Sequence, residues 1–369
     1  MGGSFVLKYC LPFFACGIWE VGREPRVQIT LRLFLAGLVL LSGHFVSSSR
    51  GDIGYQFVTV GNPGNANDTA PPNAYGGVSY TYDIGTYDVT LNQYATFLNA
   101  VAQTDTFSLY NTNLGTDLNV AGISQSGSSG SYVYSVIGDG RRPVTYVSWF
   151  DAARMANWMH NGQPKGPEGN GTTETGAYTL NGDTSTGLET KNANASYWIP
   201  SESEWYKAAY YDPTIGGVNK YWTYATRSNT APGNNANTPT VANEANYNNV
   251  VYSVTQTNGY SSSQNYLTDV GLFSNSASYY GTYDQSGDVY NWNDKIVNGD
   301  SRGVRGGYWN DGSSNLQSSN WGFYTPTLET NFIGFRLAVP EPSVAVSLIV
   351  GAGLLLGRRR RKQRTLSRK

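Results

Sequence analysis

Four oxygen-bearing side chains in one short stretch are the residues best suited to binding a metal ion. They are Asp284, Asp288, Asn291 and Asp294. Carboxylate and amide oxygens are the ligands that Ca²⁺ prefers, and one loop can supply several of them. Asp and Asn are also common in turns and helix caps, so a purely structural role is the alternative. The sequence predicts a calcium site here, with that alternative left open.

Thiol and imidazole chemistry is almost absent from the sequence. The two cysteines are Cys10 and Cys16, and the two histidines are His44 and His160. Three of these four residues lie before residue 51, in a segment that we interpret as a leader. Residues 51–339 therefore contain no disulfide, no thiolate ligand and no cysteine nucleophile, and one histidine cannot build a metal centre of several imidazoles.

Other pairs of reactive side chains are better explained by helix capping than by catalysis. Glu202 and Glu204 stand two residues apart and would point to different sides of a helix. Asp151 and His160 would be separated by about 13 Å along a helix, which is too far for a catalytic dyad. Ser148, three residues before Asp151, is expected to cap a helix and not to act as a nucleophile.

Helix-start signals identify the elements that must position these side chains. At Thr90, Ser148 and Ser201 a hydroxyl residue is followed three positions later by a side chain that can bond back. The corresponding predicted helices are 91–102, 149–160 and 202–210. The predicted strands are 54–60, 78–84, 132–137, 197–199, 302–305 and 334–339. Long polar segments separate these short elements, which indicates a mixed α/β fold with little regular secondary structure.

Six sequence blocks occur in a fixed order between residues 54 and 339. They begin at Ile84, Pro143, Ile199, Tyr283, Arg305 and Gly334, and three of them read Ile199-Pro200-Ser201-Glu202-Ser203-Glu204-Trp205, Tyr283-Asp284-Gln285-Ser286-Gly287-Asp288 and Arg305-Gly306-Gly307-Tyr308-Trp309. Together they resemble the formylglycine-generating-enzyme family, also called sulfatase-modifying factors. The resemblance implies that family's compact α/β fold, related to C-type lectin-like folds, with buried calcium. Arg336 lies between the apolar residues Phe335 and Leu337, which favours an internal ion pair or backbone contact over ligand binding.

The resemblance breaks down at the family's catalytic residues. Oxidising members bind copper through two cysteines shortly after the Arg-Gly-Gly block, where soft thiolates hold Cu(I). In this sequence Asn310 and Asp311 follow Trp309, and no cysteine occurs after that point. We therefore expect no copper and no oxidation of a substrate cysteine to formylglycine. A related iron-dependent branch uses histidines on an added helical domain, and His160 alone cannot supply them.

Several functions stay open on such a scaffold. The first is a non-catalytic recognition or structural module for glycans or proteins, in which loops rich in Asn, Tyr and Ser contact a glycan or peptide outside the cell. The second is an enzyme that uses oxygen ligands in the family's groove, and its candidate residues are Arg305, Trp309, Asn310, Asp311 and Trp321. That enzyme requires a concave site near 308–324 with a carboxylate of raised pKa. The third is an extracellular-matrix or envelope component.

Charge argues against nucleic acid as a partner. The whole chain has a net charge of −1, but residues 52–339 contain 12 Lys and Arg against 23 Asp and Glu, which leaves −11. A protein that neutralises phosphates needs an excess of basic side chains, and this segment has the opposite. An acidic surface is compatible with solubility outside the cell and with cation binding.

Both ends of the sequence indicate export. Arg23, Arg26 and Arg32 precede the apolar run 33–41, as in a secretory leader, which we place at 1–50. The C-terminal part resembles the PEP-CTERM sorting signal of exported bacterial proteins through Pro340, Glu341 and Pro342, the apolar span 343–357 and the basic run of Arg358, Arg359, Arg360 and Arg361. The three predicted regions are therefore a leader at 1–50, a sulfatase-modifying-factor-like domain at 51–339 and a sorting tail at 340–369.

The sorting tail implies a membrane stage and a processing partner. A helix over the apolar span would reach about 22 Å, which is short of a hydrocarbon core of about 30 Å. The basic run would stay on the cytoplasmic side of the membrane. We expect transient membrane retention, cleavage near Pro340-Glu341-Pro342 by an exosortase-type enzyme, and a cell-surface or extracellular product. An ordinary C-terminal membrane anchor is the alternative.

Overall fold

The computed structural model describes residues 53–70 and 74–341. Its helices are α1 (Leu91–Val101), α2 (Asn113–Thr116), α3 (Trp149–His160) and α4 (Glu202–Tyr210), with a 3₁₀ helix at Ser313–Leu316. Its strands are β1 (Phe57–Val60), β2 (Tyr82–Gly85), β3 (Ile123–Ser126), β4 (Val133–Val136), β5 (Asn248–Asn249), β6 (Val251–Tyr252), β7 (Tyr290–Val297), β8 (Ser301–Arg305), β9 (Gly322–Tyr324), β10 (Ile333–Gly334) and β11 (Ala338–Pro340). Long irregular segments connect these elements, as the sequence predicts.

The helices α1, α3 and α4 begin where their caps predict. At Thr90, Ser148 and Ser201 the hydroxyl accepts a hydrogen bond from the backbone N–H three residues on, and the side chain there accepts one from the cap N–H. These reciprocal bonds satisfy amide groups that the first helical turn would leave unpaired. Glu204 is the partner at Ser201, so its predicted capping role is confirmed.

The strands form two larger sheets and two short hairpins. One sheet has the order β1-β2-β11 and is antiparallel throughout. The other has the order β10-β7-β8-β9, in which β10 runs parallel to β7 and the remaining pairs are antiparallel. β3 with β4 and β5 with β6 form the hairpins. The mixed α/β class with little regular structure is therefore confirmed.

Aromatic side chains fill the core. Trp149, Trp158 and Trp292 are buried in the largest apolar cluster. Trp205 lies instead in a separate cluster with other residues of α4. The tryptophans of α3 therefore join the main core, whereas α4 packs Trp205 with its own tyrosines.

Several strand predictions differ from the structure. The predicted strand 334–339 is divided between β10 and β11, and the predicted strand 78–84 begins only at Tyr82. The longest strand, β7, was not predicted because Asn291, Asn293 and Asp294 lower the strand propensity of that stretch. All three side chains form specific hydrogen bonds inside the fold, which offset the cost of burying them. The predicted strand 197–199 is reduced to a single bridge between Trp198 and Ala338.

Much of the predicted sorting machinery lies outside the described residues. This applies to the leader at 1–50, to Pro342, to the apolar span 343–357 and to the basic run at 358–361. Pro340 ends β11 and Glu341 follows it, and both are exposed. Within residues 53–70 and 74–341, no helix combines the length and apolarity needed to cross a membrane.

Candidate functional site

Arg336 lies at the centre of a buried polar network that joins both larger sheets to a loop. Its Nη2 donates to Asp88 Oδ1 at 2.6 Å, and its Nε donates to Asn291 Oδ1 at 2.7 Å. The remaining donors reach backbone carbonyls at Gly85 and Tyr283. Neither side chain of the Arg336–Asp88 pair is exposed to solvent. The predicted internal role of Arg336 is confirmed.

Asp284 and Asp288 occupy the loop next to this network. Both adopt left-handed backbone conformations, with φ of 62° and 61°. Asp284 Oδ2 accepts from the backbone N–H of Gly271 at 2.7 Å. Asp288 accepts from Asn246 Nδ2 at 2.8 Å and from the Thr268 hydroxyl at 3.0 Å. Two non-glycine residues held in this region mark a loop that the surrounding structure strongly constrains.

Burial and mutual repulsion make the ionised forms of Asp284 and Asp288 unfavourable. Burial, helped by the nearby charge of Asp88, raises the pKa of Asp284 to about 7. Burial also raises the pKa of Asp288 well above its ordinary value, and Asp284 contributes to that shift. A cation placed between these carboxylates would stabilise their ionised forms.

The four residues predicted to bind calcium do not meet at one point. Asn291 Oδ1 accepts hydrogen bonds from both Arg336 and Trp205, so neither lone pair is left for a metal ion. Asp294 faces Arg302, with 2.8 Å between its Oδ1 and Nη1. In the part of the chain that the structure describes, no group of three or more acidic, histidine or cysteine side chains is arranged to hold a metal.

Asp284 and Asp288 keep some features of a cation site. They line a small cavity of about 10 Å³, enough for one water-sized particle, together with oxygen-bearing side chains such as Glu244, Asn246 and Ser286. Ca²⁺ requires six to eight oxygen ligands, which this pair could supply only with help from neighbouring oxygens. Calcium at this pair stays a prediction.

Arg305 is a structural anchor beneath the predicted groove. Its side chain is buried and forms an ion pair with Glu202. Its Nη1 donates to the carbonyls of Ser318 at 2.8 Å and Asn320 at 2.7 Å. These bonds hold the segment after the Arg-Gly-Gly block from the inside, so the guanidinium does not face solvent.

Trp309 is a second anchor of the same segment. It is only 3% exposed and stacks on Tyr266 with 4.8 Å between ring centroids and 5° between planes. Between the two anchors, Gly306 and Gly307 adopt φ of 109° and 76°, and glycine accommodates this tight turn after β8 without strain. A β-carbon on Gly307 would lie 2.7 Å from Leu316, so the turn also needs the missing side chain.

The remaining groove residues belong to a surface that we call the 308–324 surface. Asn310 is exposed, and Asp311 is half-buried with a pKa raised by burial. Trp321 packs on Phe323 at 5.8 Å between centroids, and Lys295 lies 4.0 Å from the Trp321 ring centroid. Phe323 is 44% exposed. The surface therefore combines amide, carboxylate and aromatic groups above a rigid base.

Comparison with known proteins identifies the family to which this fold belongs. A family model described as "Sulfatase-modifying factor enzyme 1-like domain" matches residues 40–340. The chain belongs to this family. The sulfatase-modifying-factor fold predicted from the six blocks is thereby confirmed, and a relationship to C-type lectin-like folds is plausible on the same architecture. A search of curated proteins found no significant match.

Three solved structures resemble this sulfatase-modifying-factor domain. CarF has 21% identity and a TM-score of 0.44 and covers 78% of this chain and 99% of its own. Variable protein 1 of Treponema denticola has 15% identity and a TM-score of 0.43, with coverage of 79% and 97%. PvdO from Pseudomonas aeruginosa has 16% identity and a TM-score of 0.39, with coverage of 78% and 92%. At these TM-scores the similarities carry no argument about function.

Sequence reasoning missed Glu202 as a partner of this site. It considered Glu202 only as half of an acid–base pair with Glu204. In the sulfatase-modifying-factor domain, Glu202 bonds to both Arg305 and Asn293. The sequence does contain a hint of this ion pair. Glu204 occupies the capping position, so Glu202 is not needed as a cap and would need a basic partner if buried.

Proposed function

We propose that this chain is an exported recognition protein in which a sulfatase-modifying-factor scaffold presents the 308–324 surface to a glycan or a peptide. The observation that supports this proposal is that the segment 305–324 has both buried anchoring residues and exposed residues. Arg305 and Trp309 fix its base inside the fold, while Asn310 and Phe323 remain exposed. A binding surface gains affinity when its backbone is already ordered, because less conformational entropy is lost on contact.

The chemistry of the 308–324 surface suits carbohydrate or peptide ligands. Trp321 and Phe323 offer adjacent aromatic faces, on which the apolar face of a sugar or an apolar side chain can pack. Asn310 adds an amide that both donates and accepts hydrogen bonds, and Asp311 adds an acceptor. Aromatic and amide side chains make adaptable contacts at low entropic cost, as antibody loops do.

We propose a binding role and not oxidation for this surface because its sequence provides no thiol. Cys10 and Cys16 both precede residue 51. Hydroxyl, amide and carboxylate groups cannot replace the soft thiolates that hold Cu(I). The alternative enzyme with oxygen ligands would use Arg305, whose guanidinium is buried and whose Nε and Nη1 are already engaged with Glu202 and two backbone carbonyls.

Export and processing form the second part of the proposal. Pro340 is the last residue of β11, and Glu341 is exposed directly after it. Cleavage by an exosortase-type enzyme near Pro340-Glu341-Pro342 would therefore separate the tail at the edge of the folded domain. The proposed product is released from transient membrane retention to the cell surface or medium, with Ca²⁺ proposed beside Asp284 and Asp288.

Glycan and peptide arrays test the proposed binding surface. We expect the wild-type protein to bind at least one class of probe and Phe323→Ser to weaken that binding at least tenfold. Val218→Ser is the matched control, since Val218 is a fully exposed apolar side chain outside the 308–324 surface. Equal binding by wild type and Phe323→Ser, or no binding on either array, would argue against the proposal.

A further inference from the structure

A polar cleft of about 420 Å³ lies outside the 308–324 surface and has no role in the proposed function. It is formed by the start of α3, the 106–108 loop, residues near Gly182 and the segment containing Thr327 and Glu329. Its volume falls within the usual range of pockets for small ligands. Hydroxyls at Ser108, Thr184 and Thr327 and the ring of Phe150 contribute to its lining.

Asp151 supplies a buried carboxylate at this cleft. The residue is only 2% exposed, and its Oδ2 accepts from the Ser148 N–H at 2.8 Å and hydroxyl at 2.6 Å. Its Oδ1 has no hydrogen-bond partner among residues 53–70 and 74–341. This oxygen is not sealed off from solvent, so it is available to accept a hydrogen bond from a ligand in the cleft.

Glu329 supplies the second carboxylate. Its Oε2 accepts from Asn111 Nδ2 at 2.6 Å. Burial raises the pKa of Asp151 well above its ordinary value, and repulsion from Glu329 adds to that shift. Burial raises the pKa of Glu329 as well, and the charge of Asp105 contributes. Both side chains line the same cleft, and the charge of Glu329 disfavours ionisation of Asp151.

The basic group at the cleft, Arg154, offsets these acids only in part. Arg154 lines the cleft, but its Nε and Nη2 bind the Glu174 carboxylate at 2.8 and 3.2 Å. A further acid, Glu168, lies nearby with its pKa raised to about 7 by burial and by Asp105. Arg154 also lowers the pKa of Asp151, but burial and Glu329 raise it by more, so the two carboxylates still favour a further cation.

We propose that this cleft binds the guanidinium or ammonium group of an organic cation between Asp151 and Glu329. Carboxylates pair with a guanidinium through short, charge-assisted hydrogen bonds. A metal ion fits less well, because the described residues contain no suitable group of three acidic or imidazole ligands. The same chemistry could come from a free amine or from the arginine side chain of a peptide.

Calorimetry on the full-length protein with charged and neutral probes of matched shape tests this proposal. The probes are agmatine, N-acetylarginine amide and its neutral analogue N-acetylcitrulline amide. At pH 7.5 we expect at least one cation to bind tenfold or more tightly than the neutral analogue. Tighter binding of agmatine would indicate a free amine as the ligand, and tighter binding of the arginine amide would indicate a peptide side chain.

Two variants and a change of pH complete the test. Glu329→Gln keeps the side chain's size and should weaken cation binding about tenfold, whereas Asp300→Asn, at an exposed acid in the β7–β8 turn, should leave it unchanged. Binding should weaken from pH 7.5 to pH 5.5, because protons compete for Asp151 and Glu329. Equal affinity for the neutral analogue, no heat with either cation, or wild-type binding by Glu329→Gln would each overturn the proposal, whatever the arrays show for the 308–324 surface.

Discussion

Replacing Arg336 should destabilise the fold more than replacing any exposed arginine. In Arg336→Met the buried carboxylate of Asp88 loses its 2.6 Å partner, and two backbone carbonyls and Asn291 lose their donor. Breaking a buried ion pair from one side costs about 3–5 kcal/mol. With a denaturant slope of roughly 3 kcal/mol/M, the urea unfolding midpoint should fall by about 1–1.7 M. Urea titration followed by tryptophan fluorescence measures that shift.

The pH dependence of the same variant separates charge from packing. Burial already raises the pKa of Asp88 to about 6, while Arg336 acts in the opposite direction. Without Arg336 the pKa of Asp88 rises further, so the carboxylate binds its proton over a wider pH range. A raised folded-state pKa means that stability is lost as pH rises through it. The deficit of Arg336→Met should therefore grow between pH 5 and pH 8.

Two further variants serve as controls for Arg336→Met. Arg141→Gln removes an arginine that is 66% exposed and paired with surface carboxylates, and it should leave the unfolding midpoint unchanged. The double variant Asp88→Asn with Arg336→Met should be less destabilised than the sum of the single variants, because no unpaired charge remains. A midpoint shift for Arg336→Met as small as that of Arg141→Gln, or strict additivity in the double variant, would refute the reasoning.

Four more variants test other parts of the account. The folded-state pKa of Asp284, about 7, lies above its ordinary value of 3.8, so wild type loses stability between about pH 4 and pH 7. Asp284→Asn should lose less over this range and be more stable than wild type at pH 8 in calcium-free buffer. Urea unfolding midpoints at pH 5 and pH 8 measure this, and equal midpoints for variant and wild type at both pH values would contradict it. Gly287→Ala should cost on the order of 3 kcal/mol or more, because a β-carbon would lie 2.1 Å from a backbone oxygen at φ of 83°. Gly299→Ala, with φ of 84° and open space, should cost only about 1 kcal/mol, and equal midpoints for the two would count against the steric argument. Glu202→Gln should lower the free energy of unfolding by about 3 kcal/mol, because Arg305 stays buried without its carboxylate partner. A thermal unfolding midpoint equal to that of wild type would show that the ion pair is dispensable.

Local signals in the sequence predict the helices better than the strands. The caps at Thr90, Ser148 and Ser201 each place a helix start at the correct residue, because capping depends on side chains only three positions apart. β7 could not be predicted in this way. Its Asn291 and Asn293 disfavour a strand locally, and only distant partners such as Arg336 and Glu202 make their burial acceptable.

The role of a site residue could be predicted only where it follows from that residue's neighbours in the sequence. Roles that depend on distant residues brought together by the fold could not be predicted. The internal role of Arg336 follows from its position between two apolar residues, and the structure confirms it. The sequence does not reveal that Arg305 turns inward, because its partner Glu202 lies about a hundred positions away. The cleft carboxylates Asp151 and Glu329 are likewise brought together only by the fold.

Copper-dependent oxidation of a cysteine-containing peptide by the purified protein is the most direct test of the proposal that this family scaffold serves recognition. Mass spectrometry of the peptide after incubation with protein, copper and oxygen measures conversion of its cysteine to formylglycine. We predict no conversion above that of copper alone, because residues 51–339 contain no cysteine. Conversion that requires the protein and increases with its concentration would contradict the account.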